Sequence, residues 1–148
     1  MSDHAAAPSN EALATAQRSL LRAALRREPL PGQATPLRFP DLGFVLAGPA
    51  VLLDDEHLAG SIAEDDLPLP LRVLSPAAIR AEASGQDLTY LHFAEAEPTP
   101  DGVRLTLEAR LVPGDESRPP MRLGGVQVVF RDVGGRWEAS DDPIAYAT

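Results

Sequence analysis

The chain contains no cysteine, and all 13 of its basic residues are arginine, so it has no lysine either. Without cysteine there is no disulfide scaffold, no thiolate zinc site and no cysteine nucleophile. Without lysine there is no Schiff-base chemistry, no serine–lysine dyad and no phosphate loop of the kind that needs a lysine. Asparagine occurs once, at Asn10, and isoleucine is scarce, a composition that fits a GC-rich genome. No apolar run approaches the roughly 20 residues of a membrane span. The segment Met1 to Ala7 has neither the basic start nor the apolar centre of a signal peptide. The expected compartment is therefore the cytoplasm.

Positive charge is also in short supply. A net charge of −9 argues against nucleic acid and anionic membranes as partners, because phosphate binding needs a basic surface. The charge is unevenly spread: residues 41–66 hold Asp41, Asp54, Asp55, Glu56, Glu64, Asp65 and Asp66 without an arginine. Residues 18–27 hold Arg18, Arg22, Arg26 and Arg27 without an acid. The first three of these lie four apart and share one helical face, which is expected to be solvated.

What is present is clearest from Val103 to Ser140. Val103, Leu105, Leu107, Ala109 and Leu111 alternate with charged or hydroxylic residues, a period of two that predicts a strand with one buried and one wet face. Met121 to Val133 resumes the pattern, and Gly134-Gly135 turns the chain into Arg136-Trp137-Glu138-Ala139, an antiparallel meander. Leu88 to Ala94 predicts another strand, with Leu91 and Phe93 on one face and Tyr90 and His92 on the other. Phe93, Phe130 and Trp137 fall on strands and are expected to anchor the core.

Ahead of the strands, Leu13, Ala16, Leu20, Leu21, Ala24 and Leu25 recur at helical spacing behind a Ser9 or Asn10 cap, predicting a helix over residues 10–28 that Pro29 and Pro31 stop. Residues 29–42 read as a proline-rich connector. Phe44 to Ala47 and Ala50 to Leu53 read as apolar strand pieces around Gly48-Pro49, and Asp54 to Pro70 as a long exposed acidic flap. Leu71 to Leu74 predicts a short strand, and Ser75-Pro76 the start of a short helix ending at Ser84-Gly85. The tail from Asp141 offers Ile144 and Tyr146 to pin it on the sheet. The fold expected is α+β: a flexible tail over residues 1–8, then one domain over 9–148. In it a curved antiparallel sheet of four to six strands packs on the long N-terminal helix, with a short second helix, and the 148-residue chain is long enough to bury a single core without a cross-link.

That order of elements, closing with Arg131-Asp132-Val133-Gly134-Gly135-Arg136-Trp137, resembles the nuclear-transport-factor-2-like and cystatin-like α+β folds, in which a curved sheet wraps a helix. It is similar also to small bacterial proteins with a C-terminal hairpin of this type. The chain differs from the fuller cone-shaped fold in having one long N-terminal helix where two are usual. The resemblance implies a fold and, on the sheet face that lines a pocket in such proteins, a place for Tyr90 and His92. It carries no catalytic motif.

Among the candidate residues, Asp54-Asp55-Glu56-His57 has the chemistry to bind a hard cation or activate water. It fails the calcium-loop pattern, since Leu58 and Ala59 stand where a ligand and the turn glycine belong. It is expected to be a solvated acidic loop, as is Glu64-Asp65-Asp66. Tyr90 and His92, with Glu108 and Arg110 on the neighbouring strand, form the candidate ligand pocket. Ser75 is a cap rather than a nucleophile. With no G-x-S-x-G, H-E-x-x-H or G-x-G-x-x-G, the expectation is no catalytic set, no metal site and no cofactor. The function expected first is a non-catalytic module that presents its sheet face or acidic flap to a protein partner or a second copy of itself. The alternatives are a small-molecule or enzymatic pocket between helix and sheet, and an immunity- or inhibitor-type protein that blocks a basic target.

Overall fold

The computed structural model of the chain describes residues 9–39, 42–46, 48–60, 67–115, 117–140 and 143–147. The expected flexible tail over residues 1–8 and the acidic triplet Glu64-Asp65-Asp66 lie outside them. The first helix, α1, runs from Asn10 to Arg26, and the Ser9 hydroxyl accepts the Ala12 N–H at 3.1 Å. Arg27 ends it in the left-handed conformation, φ 55°, with its N–H on the Ala23 carbonyl. The helix stops there, short of Glu28. One helical turn, α2 (Leu42–Val45), leads into β1 (Val51–Asp54), β2 (Leu71–Leu74), α3 (Pro76–Glu82), β3 (Leu88–Phe93), β4 (Glu97–Thr99), β5 (Gly102–Val112), β6 (Met121–Val133), β7 (Arg136–Ala139) and β8 (Ile144–Ala147).

The fold is α+β, with a strongly curved sheet that forms a half-barrel. Eight strands join one sheet in the order β2-β1-β3-β5-β6-β7, with β4 also on β5 and β8 on β6. The sheet is mixed: β1 runs parallel to both β2 and β3, whereas β3, β5, β6, β7 and β8 pair antiparallel. The expected curved antiparallel sheet on a long N-terminal helix is present, with six strands on its main path and β4 and β8 beside it, and the parallel pairs that β1 makes render it mixed. Parallel pairing needs a crossover, and α3 with its flanking turns supplies the one between β2 and β3. Of the strand expected at Phe44 to Ala47, Phe44 and Val45 instead close the helical turn α2 and Ala47 lies outside the described residues; a four-residue apolar run has no length over which the two periods differ. The tail does pin back, as β8 pairs Gln127 with Ile144 and Gly125 with Tyr146. Gly134 and Gly135, φ 61° and 87°, supply the two left-handed positions of the tight turn between β6 and β7.

The sheet has two covered faces. On the inner one, Ala16, Leu20 and Leu21 of α1, all at 0% exposure, join one buried cluster with Leu53, Leu91, Phe93, Val103, Leu105, Leu107, Val126, Val128 and Phe130. Trp137 packs at the edge of this core. On the outer face a smaller apolar cluster joins Ile79 and Ala83 of α3 and its cap to Leu52, Tyr90 and Val112. No described helix is long and apolar enough to cross a membrane.

Candidate functional site

Strand alternation sends Leu91 and Phe93 inward, so Tyr90 and His92 project to the outer face, away from α1. Glu108 and Arg110 project to the same side, because Leu107 and Ala109 belong to the inner core. The register places His92 opposite Glu108 and Tyr90 opposite Arg110. All four candidate residues therefore share one patch of the sheet. It lies on the face opposite the long helix, not in a cavity between helix and sheet.

Following the register outward from His92 extends this patch into a row across five strands. Leu53 pairs with Leu91, which sets Asp54 level with His92; Glu108 faces Gly125, and Gly125 faces Tyr146. Asp54, His92, Glu108 and Tyr146 thus stand side by side. Asp54, His92 and Glu108 are 2%, 3% and 4% exposed, so each needs a partner inside the protein.

Each of them has one. Asp54 Oδ2 lies 2.7 Å from His92 Nδ1, and Asp54 Oδ1 accepts the Glu56 N–H at 3.3 Å. A carboxylate only accepts, so His92 Nδ1 carries the hydrogen and Nε2 is left as the reactive ring nitrogen. Glu108 accepts from Arg110 Nε and Nη2 at 3.0 and 2.8 Å, from Arg122 at 3.2 Å and from the Tyr146 hydroxyl at 3.1 Å. A register shift in the β5–β6 ladder at Ala109/Arg110 brings Arg110 and Arg122 opposite one another beside that carboxylate. The Arg122 guanidinium also lies 5.3 Å from the centre of the Tyr146 ring.

Gly125 makes this cluster possible. A Cβ there would fall 2.7 Å from the Tyr146 hydroxyl oxygen and 2.7 Å from the Leu107 carbonyl. The bare backbone lets Tyr146 lie across β6 and reach Glu108. The electrostatics follow from the contacts. Burial pushes the Glu108 carboxyl up, but the bonds from Arg110, Arg122 and Tyr146 outweigh it and hold Glu108 below the usual carboxylate range. Burial and the neighbouring Glu108 push the Tyr146 hydroxyl up. Burial likewise pushes Tyr90 up, opposed by Arg110.

A second group gathers at the other end of the row. Asp54 is the buried end of β1, which corrects the expectation of a solvated acidic loop over residues 54–57 at that residue, whereas Asp55 and Glu56 are exposed. His57 is half-buried, with its ring centre 5.6 Å from that of His92 at 72° between planes. Glu56 Oε2 lies 3.9 Å from His92 Nδ1, and one donor atom from each of Glu56, His57 and His92 falls within 4.8 Å of the others. The turn is held from below by Gln17 of α1, 1% exposed, which donates to the His57 carbonyl at 2.9 Å and accepts the Ala59 N–H at 3.0 Å. Gln17 escaped the sequence reading, although it stands four residues from both Leu13 and Leu21, on the apolar stripe of α1.

A cavity lies elsewhere. A cleft of about 910 Å³, open to solvent on one side, is lined by Arg27, by Leu30, Gln33 and residues 35–39 of the connector, and by Pro143 and Ala145. Its floor is apolar, since Leu30, Leu37 and Phe39 are buried core residues. Arg27 and Arg38 are exposed at its mouth, and neither guanidinium makes a hydrogen bond or ion pair with any described residue. Tyr90, His92, Glu108 and Arg110 do not line it. No protein-family model, curated protein or solved structure matches the chain.

Proposed function

We propose that the protein is a non-catalytic binding protein whose cleft beside Arg27 and Arg38 takes a small amphiphilic anion, a carboxylate on an apolar chain. The cleft itself carries this reading. Its volume of about 910 Å³ falls in the range of ligand sites, and it combines an apolar floor with a few polar groups at the rim. Two guanidiniums without a partner among the described residues supply the complement for a carboxylate, in a chain whose overall charge of −9 would otherwise repel it. The polar row on the outer face shows no nucleophile–base pair, because no described serine or threonine hydroxyl is bonded to His92 and the Glu108 carboxylate is saturated by its neighbours. A long helix laid on a curved sheet supports the likeness to nuclear-transport-factor-2-like and cystatin-like folds as part of the same reading.

Titration calorimetry with dodecanoate, and with dodecyltrimethylammonium as the charge-reversed control, tests it. Dodecanoate is expected to bind once per chain and the cation to bind far more weakly. Arg38→Ala is expected to weaken dodecanoate by about tenfold or more, the equivalent of one charged hydrogen bond of roughly 1.5–3 kcal/mol. Equal affinity for both amphiphiles, or indifference to Arg27→Ala and Arg38→Ala, sinks the proposal. The open side of the cleft favours a second reading, in which the occupant is an acidic, apolar segment of a protein partner. Such a peptide binding where dodecanoate does not would select it.

A further inference from the structure

We infer that Glu56, His57 and His92 form a binding site for a divalent transition cation of zinc's chemistry, with Asp54 behind His92 as the residue that orients it. The inference is independent of the cleft, which shares none of these residues. Three donors of the right kind converge: one donor atom from each of the three side chains lies within 4.8 Å of the other two. Two imidazoles and one carboxylate are the set that zinc, cobalt, nickel and ferrous iron accept, whereas calcium and magnesium require oxygen ligands throughout. This distinguishes the site from an acidic surface loop, in which every donor would be a carboxylate.

The surroundings are prepared for the same purpose. Metal-ligating histidines usually donate their second ring N–H to a carboxylate, which fixes the tautomer and makes the other nitrogen a better donor. His92 and Asp54 stand in that relation, 2.7 Å apart through Nδ1 and both nearly fully buried, so Nε2 is the nitrogen that would ligate and the exposed Glu56, now 3.9 Å from Nδ1, would turn toward it. A purely structural account of the pair leaves the approach of His57 and Glu56 unexplained. The turn that carries those two residues is fixed twice, by the Glu56 N–H on Asp54 and by the Gln17 bonds to His57 and Ala59. It is thereby ordered before any ion arrives, which lowers the entropy lost on binding. Glu56 is 52% exposed at its side chain, so a bound ion would face solvent on that side and keep a position open to water or an exogenous ligand.

The test uses the full chain, stripped of metal by a chelator and carrying His4→Ala, so that His57 and His92 are the only histidines left. It is titrated with Zn(II) and, separately, with Co(II). Saturation is expected at one equivalent, with a visible Co(II) spectrum of the intensity given by low-coordinate nitrogen and oxygen sites, and with no competition from Ca(II). Asp54→Asn is expected to weaken binding by about 10–100-fold, the cost of losing such an outer partner. His57→Ala and Glu56→Gln are expected to weaken it at least as much. Both lie outside the core, and an unchanged metal-free urea midpoint would show that they fold. Absence of saturable binding overturns the inference, as does binding that His57→Ala and Glu56→Gln leave unaltered.

Discussion

The substitution Glu108→Gln asks the most of the outer face. It keeps the shape of the side chain and removes its charge, leaving Arg110 and Arg122 without the carboxylate on which both converge. Breaking a fully buried ion pair by removing one partner costs about 3–5 kcal/mol. Here the arginine side chains are 32% and 52% exposed, so water recovers part of their solvation and the expected loss falls to about 2–3 kcal/mol. For a domain of this size each kcal/mol moves the melting temperature by roughly 2–4 °C. Urea unfolding read by the single tryptophan, Trp137, measures the difference. Its pH dependence provides the sharper check. Because the folded carboxyl titrates below its ordinary 4.5, its contribution is fully present above that value and is lost as pH falls through the lower folded pKa. Wild type and Glu108→Gln should therefore converge in acid, where Glu108 is as neutral as the glutamine. A gap below about 0.5 kcal/mol at neutral pH, the scatter of an ordinary surface change, would refute the reasoning. So would a gap that stays constant as the acid limb is crossed.

Two further outcomes follow from the same geometry. Gln17→Leu, close to isosteric, removes both bonds to the 57–59 turn and is expected to destabilise by about 1–3 kcal/mol, with loss of hydrogen-exchange protection at the Ala59 N–H. Unchanged protection at Ala59 would show that the turn is held by something other than Gln17. Gly125→Ala drives a methyl into the Leu107 carbonyl and the Tyr146 hydroxyl and should cost about 1–3 kcal/mol, whereas Tyr146→Phe, which removes only the hydroxyl, should cost less. The reverse order in urea midpoints would show that the close approach across β6 is not what Gly125 permits.

The elements with long, unambiguous periodicity were legible in the sequence. Strand β5 could be read residue by residue because its inner positions are apolar and its outer ones polar, and α1 because its stripe repeats over 17 residues. The sharing of one face by Tyr90, His92, Glu108 and Arg110 followed from the same alternation. What escaped was information carried by register between distant segments. Asp54 looks like the first residue of an acidic run, yet it is the last residue of β1, and its burial depends on β1 lying parallel to β3. A local pattern cannot encode that pairing. The same holds for His57, whose nearness to His92 depends on where Gln17 fastens the turn. The cleft was hidden for a different reason: its walls come from a proline-rich connector without periodicity and from β8, more than 100 residues apart in the chain.

The measurement that bears most directly on the account is a ¹⁵N chemical-shift titration of the protein with dodecanoate. Binding in the cleft predicts saturable shifts at Leu30, Gln33, Leu37, Phe39 and Ala145, with the amides of His92 and Glu108 unmoved. Shifts confined to the outer face, or none at all, would contradict it.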